Sequence, residues 1–516
     1  MLPDKDPVPS IEAVSPGNIG TIPGTGSGTG WRLVRGAMLL LASEVAIRAL
    51  TVASMLVVAR VLGPVALGQL AIAQAVVSYA SVLGDGGITM LAQRTMVREP
   101  ARAGRLASTA TSIQLALSAV LVAAVLGASA VLPFDQTARH LMIVLSPLLV
   151  VQALNMFYVL VAREQIGAFA IARTLGQVAV AALSVTLVLV TRSNTWVAVA
   201  IWAGALLADV LCFGALRAGG FRLRLPDWDA GRHLLGSGWP YLAMALLAQV
   251  LLSFDTLVIG ATRSSQEAGE YAAAYRVVLI SIGLVWLVLA VAYPELVRRF
   301  RDDPAGFSKF LTALIRQSTR VGYAMVGFVA VAAPQIVSAL YGAQYGRSGP
   351  LLALLFLSVP FSYCNALLGQ GLLAASRERS YLVNIAVTAA VSVAAILLFV
   401  PRFGASAAAW VVLAGELVML TLFTVLYARF LHVVPTRDLI VQLPWLVVPM
   451  LSLWVLTAAW NQVPLYALAL LWLISVLVVE LAGGRQLYRE TIGLGRASRR
   501  QGDPANGTPN RSGGGP

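Results

Sequence analysis

Long apolar runs alternate with short polar connections from about residue 37 to about residue 482. A helix needs ~20 residues to cross a bilayer's hydrocarbon core, and fourteen of the runs are that long. The longest connection, roughly 294–320, has room for one amphipathic helix on the membrane surface. None has room for a soluble catalytic domain. The pattern predicts an all-α polytopic membrane protein with about fourteen transmembrane helices.

Composition agrees. The 516 residues are 58% hydrophobic and only 12% charged, far from the balance of a soluble protein. Charge then sets the orientation, because loops rich in Lys and Arg stay cytoplasmic. Of 37 basic residues, 20 fall in even-numbered connections and seven in odd-numbered ones. Both termini are therefore expected in the cytoplasm, with the chain spanning the cytoplasmic membrane. The net charge of +14 is accounted for by topology and lipid headgroups, so no nucleic-acid partner is expected.

The ends carry little structure in this reading. Residues 1–36 and 485–516 are rich in Gly, Pro and Ser and are expected to be unstructured. The N-terminal segment lacks the regions of a signal peptide, which leaves the first span as the insertion signal. Two sequons in the tail are read as chance. Cys212 and Cys364 read as small core residues, and His140, His233 and His432 form no metal-ligand spacing. No cofactor or metal is expected.

An internal repeat organises the spans. At a shift of 201 residues, LVVARVLGPVALGQLAIAQAVV (56–77) lies over LVIGATRSSQEAGEYAAAYRVV (257–278) without a gap, pairing Gly68 with Gly269. Weaker echoes are AREQ at Ala162 with ASRE at Ala375, and Asp209 with Glu416. Six spans separate the copies, so both have the same orientation. That is the parallel repeat of transporters whose two bundles rock about a central site. The expected units are a six-helix lobe over 37–232, a second over 233–430, and two extra helices within 431–484.

Charges inside the spans are candidate functional groups. Glu44 and Arg48 are four apart, share a helix face and can pair. Asp255 and Arg276 lie ~7.5 Å and ~6 Å deep on consecutive helices at 1.5 Å per residue, which suggests a salt bridge serving as clamp or gate. Asp209 and Glu416 suit either cation coupling or helix packing. Asp85, in VLGDGG, is explained as well by turn or cap chemistry. Polar Gln152, Asn155, Tyr158, Gln177, Tyr363, Asn365, Gln370 and Asn384 include candidates for lining a cleft, though interhelical hydrogen bonding would use the same groups.

Several stretches carry a family resemblance. ARVLGPVALGQ, LGDGGITMLAQR, FDTLVIG with EAGEYAAAYR, LYGAQYGRSGPLLALL, LLAASRERSYLVN and VPRFGASAAAW resemble, in order, the polysaccharide flippases of the multidrug/oligosaccharidyl-lipid/polysaccharide (MOP) superfamily. The resemblance covers about residues 37–430. It implies a Wzx-type flippase, not an enzyme, that moves a polyprenyl-diphosphate-linked oligosaccharide across the membrane for O-antigen, lipopolysaccharide or exopolysaccharide synthesis. Membrane lipids, a glycan polymerase and glycosyltransferases are the partners it implies. Arg48, held by Glu44 when empty, is then the expected diphosphate ligand, with Arg60 and Arg94 next. No P-loop is present, so ATP is not the direct energy source. Two other functions stay open: a cation-coupled drug exporter of the same superfamily, and a membrane-embedded glycan polymerase or ligase. The short external connections count against the second.

Overall fold

The computed structural model describes residues 27–430, 444–459 and 464–477. Residues 1–26, His432, the sequons, all of the 485–516 tail and parts of 431–484 lie outside the described residues. The helices are α1 (Ser27–Asp85), α2 (Ile88–Arg98), α3 (Ala103–Val131), α4 (Gln136–Leu145), α5 (Pro147–Ala153), α6 (Phe157–Ala162), α7 (Ile166–Thr191) and α8 (Asn194–Ala218). There follow α9 (Trp228–Thr262), α10 (Ser265–Asp302), α11 (Pro304–Tyr341), α12 (Ser348–Phe356), α13 (Val359–Ala374), α14 (Glu378–Phe430), α15 (Pro444–Ala459) and α16 (Leu465–Leu477). No strand occurs among the described residues.

Nine helical stretches among the described residues are long and apolar enough to cross a membrane, with α4–α6 counting as one and α2 running on from α1, and there are ten if the bent pair α12–α13 is one span. Two of the nine are too long for one crossing. At ~1.5 Å per residue, 59-residue α1 would run about 89 Å against a ~30 Å core. The backbone reverses inside it at Gly63 (φ 80°), and 53-residue α14 reverses at Gly404 (φ 67°). Glycine enters this region without the Cβ penalty other residues meet, and Pro64 restarts the helix where its missing N–H costs nothing. Each is a hairpin of two spans. Splitting both gives twelve crossings; the fourteen expected are not reached among the described residues, where α15 and α16 are short apolar helices.

Two boundaries differ from expectation. α1 begins at Ser27, so 27–36 continue the first helix; no proline interrupts SGTGWRLVRG. The surface helix expected over 294–320 is absent. Instead α10 runs to Asp302 and α11 restarts at Pro304, with the Asp303 carboxylate accepting from the Gly306 amide at 2.9 Å. The charges of that stretch extend two spanning helices: Glu295 holds Arg298 at 2.8 Å and Arg299 at 2.6 Å.

The repeat is visible in the backbone, with a change of register. Near the hairpin turns it holds at 201. A Cβ on Gly68 would collide with Ser265 O and Gly269 N, and one on Gly269 with Pro64 O and Gly68 N, a reciprocal contact of α1 with α10. Further along the shift is 212. α4 and α12 start at Gln136 and Ser348, α7 and α14 at Ile166 and Glu378, and the left-handed residues pair as Glu164 with Ser376 and Arg192 with Gly404. The AREQ/ASRE echo is thus one residue out of register. Asp209 corresponds to Thr421, and Glu416 to Gly204. The two acids sit five residues apart in equivalent helices, about a turn and a half.

The odd-numbered turns gather on one face. Asp135 Oδ2, at the start of α4, accepts from Gln69 Nε2 at 3.1 Å and from Ser265 Oγ, and Asn194 Nδ2 donates to Gln69 Oε1 at 3.0 Å. The Ala405 amide donates to Glu267 Oε1 at 2.6 Å across the α14 turn. On the opposite face Arg163 donates to Gly219 O at 3.1 Å and the Arg224 amide to Gly104 O at 3.4 Å. α15 and α16 dock on α11, where Trp472 Nε1 donates to Ala324 O at 2.7 Å.

Candidate functional site

The two lobes meet most closely under the odd-turn face, and this seal roofs the space between them. Besides the glycine crossing, Tyr345 OH donates to Ala59 O at 3.0 Å and Gln344 Nε2 to Arg60 O at 2.9 Å, while within the second lobe Ser348 Oγ donates to Glu270 O at 2.8 Å. Arg60 belongs to this seal. Its Nε donates to Leu340 O at 2.7 Å and its Nη2 to Ala339 O, the last carbonyls of α11. A guanidinium at a helix C-terminus satisfies orphan carbonyls and the negative end of the dipole. Arg60, expected among the phosphate contacts, is occupied as a cap.

Among the odd-turn groups Asp135 is exposed and Asn194 buried. Burial pushes the Asp135 carboxyl up, yet hydrogen bonds from Ser265, the Ala138 amide and Gln69 outweigh it and hold the group below the usual aspartate range.

Deeper in the bundle, Arg48 and Glu44 do pair, at 3.2 Å from Nε to Oε1. The sequence gives no sign of the third member. Arg173, one of the 20 basic residues counted to even-numbered connections, lies in α7 seven residues past its start and reaches Glu44 Oε2 with Nη1 at 3.4 Å. One carboxylate thus serves two guanidiniums, leaving a net positive charge. The Arg48 side chain is 47% exposed. Its Nη1 lies where a Cβ of Gly283 would be, so the cluster touches α10 of the second lobe. Arg94, on α2, stands near the opposite face; its Nη1 donates to Tyr241 OH of α9.

Asp255 and Arg276 do not meet. Asp255 is buried, and Tyr271 OH donates to its Oδ2 while the Thr256 amide donates to Oδ1 at 2.6 Å. Depth along a helix fixes only one coordinate. At 100° per residue, Arg276 lies about 140° around α10 from Tyr271. It faces α1, where Nη2 donates to Gln74 Oε1 at 3.4 Å and Nη1 is buried without a partner. This guanidinium sits below the seal, two turns on from Gly269.

Asp255 and Glu416 instead line one open-mouthed cavity of about 490 Å³ in the second lobe, with Tyr275, Thr388 and Ser392. Glu416 accepts from Ser362 Oγ and from Asn365 Nδ2 at 2.7 Å. Asp209 is buried in α8 and lines neither this cavity nor one of about 610 Å³ in the first lobe, where Gln152 and Asn155 are found. Tyr363 and Asn384 are spent on the backbone carbonyls of Ser281 and Met419, at 2.7 and 3.3 Å.

A helical bundle with two parallel repeats, paired glycines at their crossing and polar clusters between and within them is a fold shared with solved structures of membrane transporters. A structure of the lipid II flippase MurJ in an inward closed conformation aligns over 88% of this chain and 100% of its own, with TM-score 0.73 and 13% identity. An inward-facing multidrug-resistance MATE transporter of the MOP superfamily aligns over 78% and 98%, with TM-score 0.61 and 14% identity. A MOP-superfamily transporter from Pyrococcus furiosus aligns over 78% and 95%, with TM-score 0.56 and 13% identity. At these identities the likeness is one of fold. Residues 57–350, more than half of the chain, match the family described as polysaccharide biosynthesis protein, and the chain belongs to that family. No curated protein matches it in sequence.

Proposed function

We propose that this protein is a flippase for a polyprenyl-diphosphate-linked oligosaccharide, working by alternating access rather than as an enzyme. The observation that carries the reading is the Arg48–Glu44–Arg173 cluster, half-exposed and in touch with the facing lobe. Two guanidiniums around one carboxylate leave one fork-shaped donor set for an incoming diphosphate. Arg276 offers a second, with a buried N–H that has no protein partner. Arg60 is left out of the site because α11 uses it, and Arg94 serves the contact with α9.

The odd-turn face, poor in arginine, is outside, and both termini are in the cytoplasm. The membrane potential then drives an anion outward with ~2.3 kcal/mol per charge per 100 mV, about twice that for a diphosphate. Glu416, with Asp255 in the same cavity, is the place for a coupling cation; Asp209 is a packing group. The glycan feeds cell-surface polysaccharide synthesis, with a polymerase and glycosyltransferases as working partners.

The cation-coupled exporter is the second reading, and the acidic cavity of the second lobe favours it. A cationic drug, however, would face the guanidiniums of the first. Variants separate the roles. Arg48→Ala should abolish export of the lipid-linked glycan at wild-type protein level, while Arg48→Lys retains part of it. Normal transport by the Glu44→Gln/Arg48→Gln double variant would show that Arg48 is only one half of a structural pair.

A further inference from the structure

Two helices of the first lobe are broken close to one another. α1 ends at Asp85 and the chain turns through Gly86 (φ 59°) and Gly87 (φ 72°) before α2. The fourth span breaks between α5 and α6, where Asn155 Oδ1 accepts from the Phe157 amide at 2.9 Å. Between these breaks and α3 lies the cavity of about 610 Å³, lined by Asp85, Thr89, Gln114, Ser118, Gln152 and Asn155 among others. Its lining holds one carboxylate and no basic group.

The hydrogen bonds decide which atoms are left over. Gln114 Nε2 donates to Asp85 Oδ1 at 3.0 Å and to Thr89 Oγ1 at 3.1 Å. The Thr89 hydroxyl donates to the same Asp85 oxygen, and Ser118 Oγ donates to Leu149 O at 3.0 Å. Because a carboxylate only accepts, these bonds also fix the orientation of the Gln114 amide. The donors of Gln114, Thr89 and Ser118 are thus spent on Asp85, on Thr89 and on the Leu149 carbonyl. What remains is Gln114 Oε1, buried without a partner on a side chain 3% exposed, and the second oxygen of Asp85.

The side-chain amides of Gln152 and Asn155 stand beside these acceptors, but a lining with one carboxylate and no basic group disfavours an anion. A divalent ion is a poor fit for a single carboxylate, given the several anionic oxygens its sites usually gather. Broken spans whose carbonyls and side-chain oxygens converge are a common way of holding monovalent ions in membrane transporters. We infer that Asp85 and Gln114, with Gln152 beside them, form a binding site in the first lobe for a monovalent alkali cation, separate from the acidic cavity of the second lobe. The second lobe has no copy of it: the residue 201 positions after Asp85 is Trp286, inside unbroken α10.

The site is placed to act on the lobe boundary. A Cβ on Gly87 would collide with Gly238 O of α9, so the break rests directly on the backbone of α9. An ion in the cavity stiffens the Asp85–Thr89 corner and with it this contact.

The test uses the full chain purified in detergent and does not depend on what the protein carries. Thermal unfolding is followed while sodium chloride replaces choline chloride at constant ionic strength. A saturable rise in Tm is expected in the wild type and in Asp255→Asn/Glu416→Gln, and its loss is expected when Asp85→Asn or Gln114→Leu is added to the Asp255→Asn/Glu416→Gln protein. A rise that persists when Asp85→Asn is added to the Asp255→Asn/Glu416→Gln protein, or that is absent from the Asp255→Asn/Glu416→Gln protein itself, overturns the inference. Should the Asp85 and Gln114 variants fail to fold, radioactive-sodium binding to Asp255→Asn/Glu416→Gln decides. About one ion per chain supports the site, and none overturns it.

Discussion

Replacing Gly269 by alanine adds one methyl group where the lobes cross most closely. The methyl would overlap Pro64 O and Gly68 N, backbone atoms that cannot rotate aside, so α1 and α10 must part. Overpacking of this kind costs about 1–3 kcal/mol. The cost falls on the sealed arrangement alone, because an unsealed odd-turn face has room for the methyl. It therefore biases the equilibrium toward the unsealed state by roughly 5- to 150-fold. Spin labels on cysteines at Thr137 and Phe403, both exposed on that face and one in each lobe, report the change by pulsed dipolar spectroscopy. The native Cys212 and Cys364 are buried and should not be labelled. A longer inter-label distance should become dominant in Gly269→Ala and, by the symmetry of the contact, in Gly68→Ala. Gly127→Ala is the control: its Cβ meets nothing within 4 Å, and the substitution should only raise helix stability. If Gly269→Ala gives the same distance distribution as Gly127→Ala, the crossing is not the seal.

Double-mutant cycles on thermal stability should give a coupling of about 1.5–3 kcal/mol between Asp255→Asn and Tyr271→Phe, and near zero between Asp255→Asn and Arg276→Gln. The reverse would restore the salt bridge. Asp135 is held below the ordinary aspartate range in the sealed state and rises toward that range when Ser265 leaves, since the Ser265 hydrogen bond is the largest of those that lower it. Its contribution to the seal is present above that ordinary value and is lost as pH falls through the lower, sealed-state one. The longer distance in the Thr137/Phe403 pair should grow below about pH 4, whereas Asp135→Asn should lack this acid step. In intact cells an impermeant thiol reagent should label a cysteine at Thr137 and spare ones at Ala101 and Ala305; the opposite pattern would invert the orientation.

Hydropathy and arginine placement are one-dimensional signals, and they report what depends on position along the chain. The spans, their helical state and the charge difference between faces were legible for that reason, as was the repeat at Gly68 and Gly269. Angle around a helix was not. Asp255 and Arg276 share a depth but not a face, and Tyr271 took the place assigned to the arginine. Partners 280 residues apart, such as Arg60 and Leu340, leave no local trace. Arg173 was misplaced because a charge among small apolar residues reads as the end of a span. The change of register from 201 to 212 was invisible for a similar reason: the extra residues lie around the α10–α11 turn, where both lobes are charged and matches are few.

The central claim is that the guanidinium cluster between the lobes receives a diphosphate. The most direct measurement is translocation in proteoliposomes of a short-chain polyprenyl diphosphate bearing a fluorescent sugar, scored by quenching from outside. Wild-type protein should move it, with a membrane potential raising the rate. The corresponding monophosphate should move more slowly, and Arg48→Ala and Arg173→Ala should each move the diphosphate at the rate of empty vesicles. Equal rates for diphosphate and monophosphate, or undiminished transport by Arg48→Ala, would contradict the account.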